Sequence, residues 1–227
     1  IHDFMKPFGF GQITGIDLEH EKMGVLPSQE WKRERFKKAK QTTKWVGGDT
    51  ISISIGNGYN TYTPIQMAHA IATLANNGVV MKPHLVKIIE DGGTRARTLT
   101  VAKASGRIPL KQENIDVIKR AMVGVITDQS GTGFIPFKNA GYTAGGKTGT
   151  AQVVGLRGGK YNAAATPERL RDNALFTAFA PADKPRIAIA VVVENAGFGA
   201  TIAAPIVRKA LDYYLLGKRP GDKTKIP

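Results

Sequence analysis

The stretch Ala144-Gly145-Gly146-Lys147-Thr148-Gly149-Thr150-Ala151-Gln152-Val153-Val154 decides how the whole chain is read. It sets one lysine and two threonines among small residues, then runs into β-formers. Thr148 and Thr150 are two apart, so an extended strand sends both hydroxyls to the same face. Alternation puts Lys147 on the opposite face unless the strand twists or bulges there. Gly145, Gly146 and Gly149 carry no Cβ, which predicts close approach of a group from outside the chain. The chemistry suggested is recognition of an anion, or of an oxyanion formed during reaction, along a strand edge.

Two readings of this stretch belong to different classes. Gly141-Tyr142-Thr143-Ala144-Gly145-Gly146-Lys147-Thr148 satisfies G-x-x-x-x-G-K-[ST], the phosphate-binding P-loop. A P-loop follows a buried strand and opens a helix, whose first amides cradle the phosphates. The residues before it, Phe134 to Gly141, contain a proline and look irregular. Those after it, Thr150 to Gly159, carry two valines and three glycines and make a poor helix. The second reading is K-T-G at Lys147-Thr148-Gly149, a signature of serine acyl-enzymes that handle penicillin, and there the context is strand.

Further stretches carry the second reading outward: Gly47-Gly48-Asp49-Thr50-Ile51, Ile55-Gly56-Asn57-Gly58-Tyr59, Thr63-Pro64-Ile65-Gln66-Met67, Phe179-Ala180-Pro181 and Ala203-Ala204-Pro205-Ile206. With Lys147 to Gln152 they make a chain that resembles a class B penicillin-binding protein of the cell-elongation type, a peptidoglycan D,D-transpeptidase. The resemblance implies an α+β fold of the serine β-lactamase and transpeptidase kind, an antiparallel sheet flanked by helices. It implies catalytic roles for Lys147 and Thr150, the backbone N–H of Thr150 forming half of an oxyanion hole. Thr148, Gly149, Thr150, Gln152 and Phe198 are implied to bind substrate, with Phe198 as an aromatic wall or as a loop anchor on the core. The implied partners are peptidoglycan stem peptides, β-lactams, a membrane glycosyltransferase and elongation-complex proteins. The implied location is the periplasmic face of a bacterial inner membrane, through an anchor not present in this chain.

One departure from the family pattern governs the rest. The nucleophile of such enzymes lies in S-x-x-K, and a second motif reads S-x-N or S-D-N. None of the five serines here, Ser28, Ser52, Ser54, Ser105 and Ser130, has lysine three residues on or asparagine two residues on. The expectation is therefore the C-terminal part of one transpeptidase domain, incomplete and inactive by itself. Within it, about 28–127 reads as a mainly helical lobe and about 143–216 as sheet plus a last helix.

A formal charge of +14 calls for an anionic partner or neighbourhood. Nucleic acid is the first suspicion for such a balance, but no zinc spacing, RNP-like aromatic box or basic zipper occurs, so no nucleic acid is expected. The densest basic run, Lys32 to Lys40, reads as the solvated face of a short helix or as a patch toward acidic lipid or glycan. Cysteine is absent and the four histidines are scattered, so neither metal nor cofactor is expected. No apolar run approaches the roughly 18 residues of a membrane span.

Local patterns predict the elements. Ile1 to Lys6 ends a helix stopped by Pro7 and Gly9, and Ser28 caps a helix running to about Lys40. Ile51, Ile53 and Ile55 alternate with Ser52 and Ser54 as in a strand. Thr63-Pro64-Ile65-Gln66 is a capping box opening a helix with Ile65, Ala68, Ile71, Ala72 and Ala75 inward, ending at Asn77-Gly78. Val79 to Ile89 and Arg95 to Val101 read as strands joined at Asp91-Gly92-Gly93, and Gln112 to Thr127 as a helix with Ile115, Ile118, Met122, Val125 and Ile126 on one stripe. Gly155 to Asn173 is a long polar connection. Asn173 to Pro181 and Arg186 to Glu194 form a hairpin whose second strand should be covered on both faces. A final helix, about Ala203 to Leu216, turns Ile206, Ala210, Leu211 and Tyr214 inward.

Overall fold

In the computed structural model, which describes residues 1–39, 42–153 and 166–221, the chain divides after Leu110 into two units. The predicted connection from Gly155 lies largely outside the described residues. In the first unit, α1 (His2–Met5) passes into a 3-10 turn over Lys6–Phe8 and stops at Gly9, where φ is 93°. α2 (Gln29–Phe36) starts where Ser28 Oγ accepts the Trp31 N–H at 3.1 Å. It ends short of Lys40, which lies outside the described residues.

The predicted strand over Ile51, Ile53 and Ile55 is wrong: Gly47–Ser54 is a helix, α3. Six residues of alternation carry little weight beside what holds the helix start. Asp49 accepts the Val46 N–H at 2.8 Å and the Lys32 ammonium at 2.6 Å, tying α3 to α2. Lys32, only 2% exposed, also donates to Lys44 O at 3.1 Å and lies over the Tyr59 ring. The lysine beside Asp49 holds its carboxyl below the usual range.

α4 (Pro64–Ala75) opens on the predicted box: Thr63 Oγ1 accepts the Gln66 N–H, and Gln66 Oε1 accepts the Thr63 N–H. Its buried stripe is nevertheless Gln66, Ala70 and Thr73 together with Ala75, while Ile65, Ala68, Ile71 and Ala72 are only partly covered. The apolar count misled because the buried amide does more than cap. Gln66 Nε2 donates to Gln12 O at 2.6 Å and Met23 O at 2.8 Å, supplying the irregular chain before α2 with donors that water cannot reach. Gln66→Leu strands both carbonyls, and a loss of about 3 kcal/mol is expected in equilibrium urea unfolding.

Val79 to Ile89 is not one strand. It is β1 (Val79–Met81) and β2 (Ile88–Glu90), with Pro83 between them. β2 pairs with β3 (Arg97–Leu99) as predicted, and β1 pairs with β4 (Ala104–Arg107), which sequence reasoning missed. The unit's core gathers Phe8, Phe10, Leu26, Ala70 and Ile108.

The second unit is a three-stranded antiparallel sheet with helices on it. Its order is β5 (Gly145–Ala151), β6 (Asn173–Ala180), β7 (Ile187–Val193). β5 and β6 pair without a register shift from Gly145↔Phe179 to Ala151↔Asn173. α5 (Gln112–Thr127), placed by sequence with the helical region, packs along β5, and α6 (Phe134–Phe137) follows it. On α5 the buried residues are Ile115, Met122 and Ile126, whereas Ile118 is exposed. Lys119 takes the intervening turn of the stripe, its ammonium over the Phe179 ring.

α7 (Ala203–Leu216) packs on β6 and β7 through Ala203, Ala204, Val207 and Leu211. Ile206 and Tyr214, expected inward, are exposed: the small Ala203 and Ala204 let the axis approach the sheet and set a stripe of period four. β7, expected to be covered on both faces, is only partly covered at every residue, because among the described residues it is an edge strand. The fully buried strand residues belong to the central β6, where Ala174, Phe176, Ala178, Phe179 and Ala180 are all 0% exposed.

Candidate active site

Gly145 and Gly146 are glycine because the chain's own core leans on them. A Cβ at Gly145 would stand 2.5 Å from the Phe179 ring, and one at Gly146 2.8 Å from the Phe176 ring and 3.1 Å from Ile126. The expectation that these two glycines admit a group from outside is therefore corrected. Phe176 and Phe179, each contributing about 2–3 kcal/mol of transfer free energy, lie on opposite faces of the sheet and together fix where β5 begins.

The loop entering β5 is fastened as well. The Tyr142 hydroxyl donates to Asp212 Oδ1 at 2.9 Å, and Arg208 Nε donates to the same oxygen at 2.7 Å. Arg208 also donates to the carbonyls of Pro136, Lys138 and Asn139. Burial, aided by Asp212, raises the Tyr142 phenol well above its ordinary value.

Thr148 stands in the middle of the seven-residue strand β5. A P-loop needs a helix beginning there, so the nucleotide alternative built on Gly141 to Thr148 fails. Thr148 and Thr150 share one face of an unbulged strand, as alternation predicted. Lys147 is exposed, and its Nζ folds back to Thr148 O at 3.0 Å. Among the described residues β5 has a strand neighbour on one side only. Every second residue therefore directs its N–H and C=O away from β6, a template for an extended peptide.

The remaining predicted positions fall around this edge. Gln152 is exposed just past the strand's end. Gly149 is partly buried, and the backbone that comes against it is that of Gly199: a Cβ at Gly199 would overlap Gly149 O and Leu175 O. Phe198, 51% exposed, is the next residue in that loop. The loop is held by Asn195 N–H to Asn173 Oδ1 at 2.8 Å and Gly197 N–H to Asp172 O at 2.8 Å. Asp172, 3% exposed, accepts the Val153 N–H at 3.3 Å and so reaches the end of β5 too.

Thr132 is the residue that sequence reasoning missed. Its hydroxyl is 3.1 Å from that of Thr148, so the turn after α5 places a third threonine at the strand. The sequence marked Ser130-Gly131-Thr132-Gly133 only as a helix break, and nothing local announces a contact sixteen residues away.

Comparison with known proteins agrees with this arrangement. Residues 1–212 match the model of the penicillin-binding protein transpeptidase domain. The peptidoglycan D,D-transpeptidase MrdA of Haemophilus influenzae is 42% identical over 229 residues, covering 100% of this chain and 34% of the relative. The chain thus spans about a third of the length of that curated relative. Pseudomonas aeruginosa PBP2, solved in complex with WCK 5153, superposes with a TM-score of 0.76 at 35% identity, over 99% of this chain and 46% of that one. Helicobacter pylori PBP2, solved in complex with MreC, gives 0.74 at 27% identity, over 95% and 36%. The chain belongs to the penicillin-binding protein transpeptidase domain family.

Proposed function

We propose that this chain supplies the substrate-binding strand of a serine D,D-transpeptidase that cross-links peptidoglycan stem peptides during cell elongation. In that reaction a serine hydroxyl attacks the penultimate D-alanine carbonyl carbon, the bond to the terminal D-alanine breaks, and that residue leaves with a proton. An amine of a neighbouring strand then takes the acyl group and frees the serine. The observation that carries the reading is β5 itself, an open edge with Thr148 and Thr150 hydroxyls on one face and Lys147 beside them.

Each residue has a role in this reading. The two hydroxyls hold the terminal carboxylate of the stem peptide, and the Thr150 N–H points at the oxyanion of each tetrahedral intermediate. Lys147 adds positive potential and joins the proton-carrying network. Gly149 lets the acyl group lie against the strand, with Gln152 and Phe198 flanking it. Thr132 holds the Thr148 hydroxyl in one rotamer. Thr132→Val is expected to slow penicillin acylation about tenfold, the worth of one hydrogen bond of about 1.4 kcal/mol.

The serine is not among these 227 residues, which contain neither S-x-x-K nor S-x-N. In a polypeptide that unites this chain with a segment bearing both motifs, a fluorescent penicillin should label the protein covalently. A folded product that takes no label, or a chain that instead binds Mg-ATP, overturns the reading. On the proposed reading β-lactams are its inhibitors, and its setting is the periplasmic face of the inner membrane. A membrane glycosyltransferase and elongation-complex proteins are its partners. Support for an elongation-complex partner comes from the MreC complex of the Helicobacter pylori relative.

A further inference from the structure

Within the first unit, a cleft of about 480 Å³ opens beside the two β-ribbons. Leu99 and Val101 supply apolar surface, Lys82 and Lys103 supply charge, and Gly15, Asp17 and His84 complete the wall. The two lysines are brought together by the backbone, Lys82 N–H donating to Lys103 O at 2.9 Å. Both are exposed, and among the described residues neither makes an ion pair. Asp17 fastens the wall of the cleft, its oxygens accepting the Leu85 and Val86 N–H groups at 2.6 and 2.9 Å, and its one carboxylate leaves the two lysines in excess. Glu90, the acid nearest on the ribbon, is taken by Arg95 and Arg97.

Among the described residues the ribbon β2–β3 has no apolar cover. The pairing Ile88↔Leu99 puts Val86, Ile88, Leu99 and Val101 on one face, and all four are exposed. A two-stranded ribbon is marginal in water without a third strand or a packed face. The chemistry of the stretch selects what covers it. Residues 79–107 contain no Phe, Tyr or Trp, which leaves His84 as the one aromatic ring there for sugars or bases to stack on. The ribbon's tip, Asp91-Gly92-Gly93-Thr94, has no apolar side chain to enter a bilayer.

We propose that this cleft docks an extended acidic segment of a partner protein, whose apolar side chains lie on Leu99 and Val101 while its carboxylates meet Lys82 and Lys103. Alternating residues of an extended peptide meet both kinds of group at once, and its backbone finds the open ribbon edge.

The test measures fluorescence anisotropy of a labelled octapeptide alternating glutamate with valine, titrated with the 227-residue chain. Binding in the range of about 10–100 µM is expected. Lys82→Glu with Lys103→Glu should weaken it at least tenfold, and Leu99→Ser about threefold. Thermal melting should be unchanged, since all three positions are exposed. Lys37→Glu with Lys38→Glu, equal in charge but elsewhere, should leave binding unaltered. The proposal falls if that control weakens binding as much, if octaglutamate binds as well as the alternating peptide, or if the peptide does not bind. It also falls if the chain prefers anionic vesicles to the peptide.

Discussion

Lys147→Ala is expected to lower the rate of penicillin acylation by about 10²–10⁴-fold, measured on a polypeptide that also carries the S-x-x-K segment. The ammonium lies on the exposed side of the strand, 3.0 Å from Thr148 O, and no carboxylate within ion-pair distance competes for it among the described residues. In the proposed reaction its field acts on what would bind at the edge, the anionic terminus of a stem peptide and the oxyanion that follows. Because the side chain is exposed, the variant should unfold within about 0.5 kcal/mol of the parent. Lys147→Arg separates charge from proton transfer, since a guanidinium stays charged but does not release its proton. It should retain substrate affinity and lose most of the rate. Labelling of Lys147→Ala at the parent rate would remove the lysine from the mechanism.

Gly199→Ala has the second large effect, and it acts through backbone. The new methyl overlaps the carbonyl oxygens of Gly149 and Leu175, neither of which belongs to a flexible side chain. The loop must lift from β5, and Phe198 moves with it. A cost of about 3 kcal/mol is expected, at the upper end for overpacking, together with slower acylation. Gly47→Ala is a control, because nothing lies within 4 Å of the Cβ it would add. If Gly199→Ala is as stable and as reactive as that control, the loop does not buttress the strand.

Elements set by neighbouring residues were legible before any coordinates. The Thr63 to Gln66 cap is closed within four residues, and the β6–β7 hairpin is declared by its flanking β-formers and the turn at Ala182 to Pro185. The strand through Lys147 was legible for the same reason, since its glycines and the valines that follow it are poor for a helix. What escaped notice depends on distant partners. α3 is held by a lysine seventeen residues before Asp49, and the β4 sequence Ala104-Ser105-Gly106-Arg107 becomes a strand only by pairing with Val79 to Met81. The buried faces of α4 and α7 depart from the apolar pattern because small and amide side chains meet what the opposing surface requires. Gln66 and Ala203 answer such requirements, and neither stands out in a hydropathy pattern.

If inhibitors seat on β5 as proposed, drug escape has little room at the start of the strand. A bacterium under selection by an inhibitor seated on this edge commonly alters the receptor by exchanging side chains, yet Gly145 and Gly146 have phenylalanine rings where any new side chain would go. Viable resistant variants should then cluster in the turn around Thr132 and the loop around Phe198, which can reshape the entrance while the strand stays as it is.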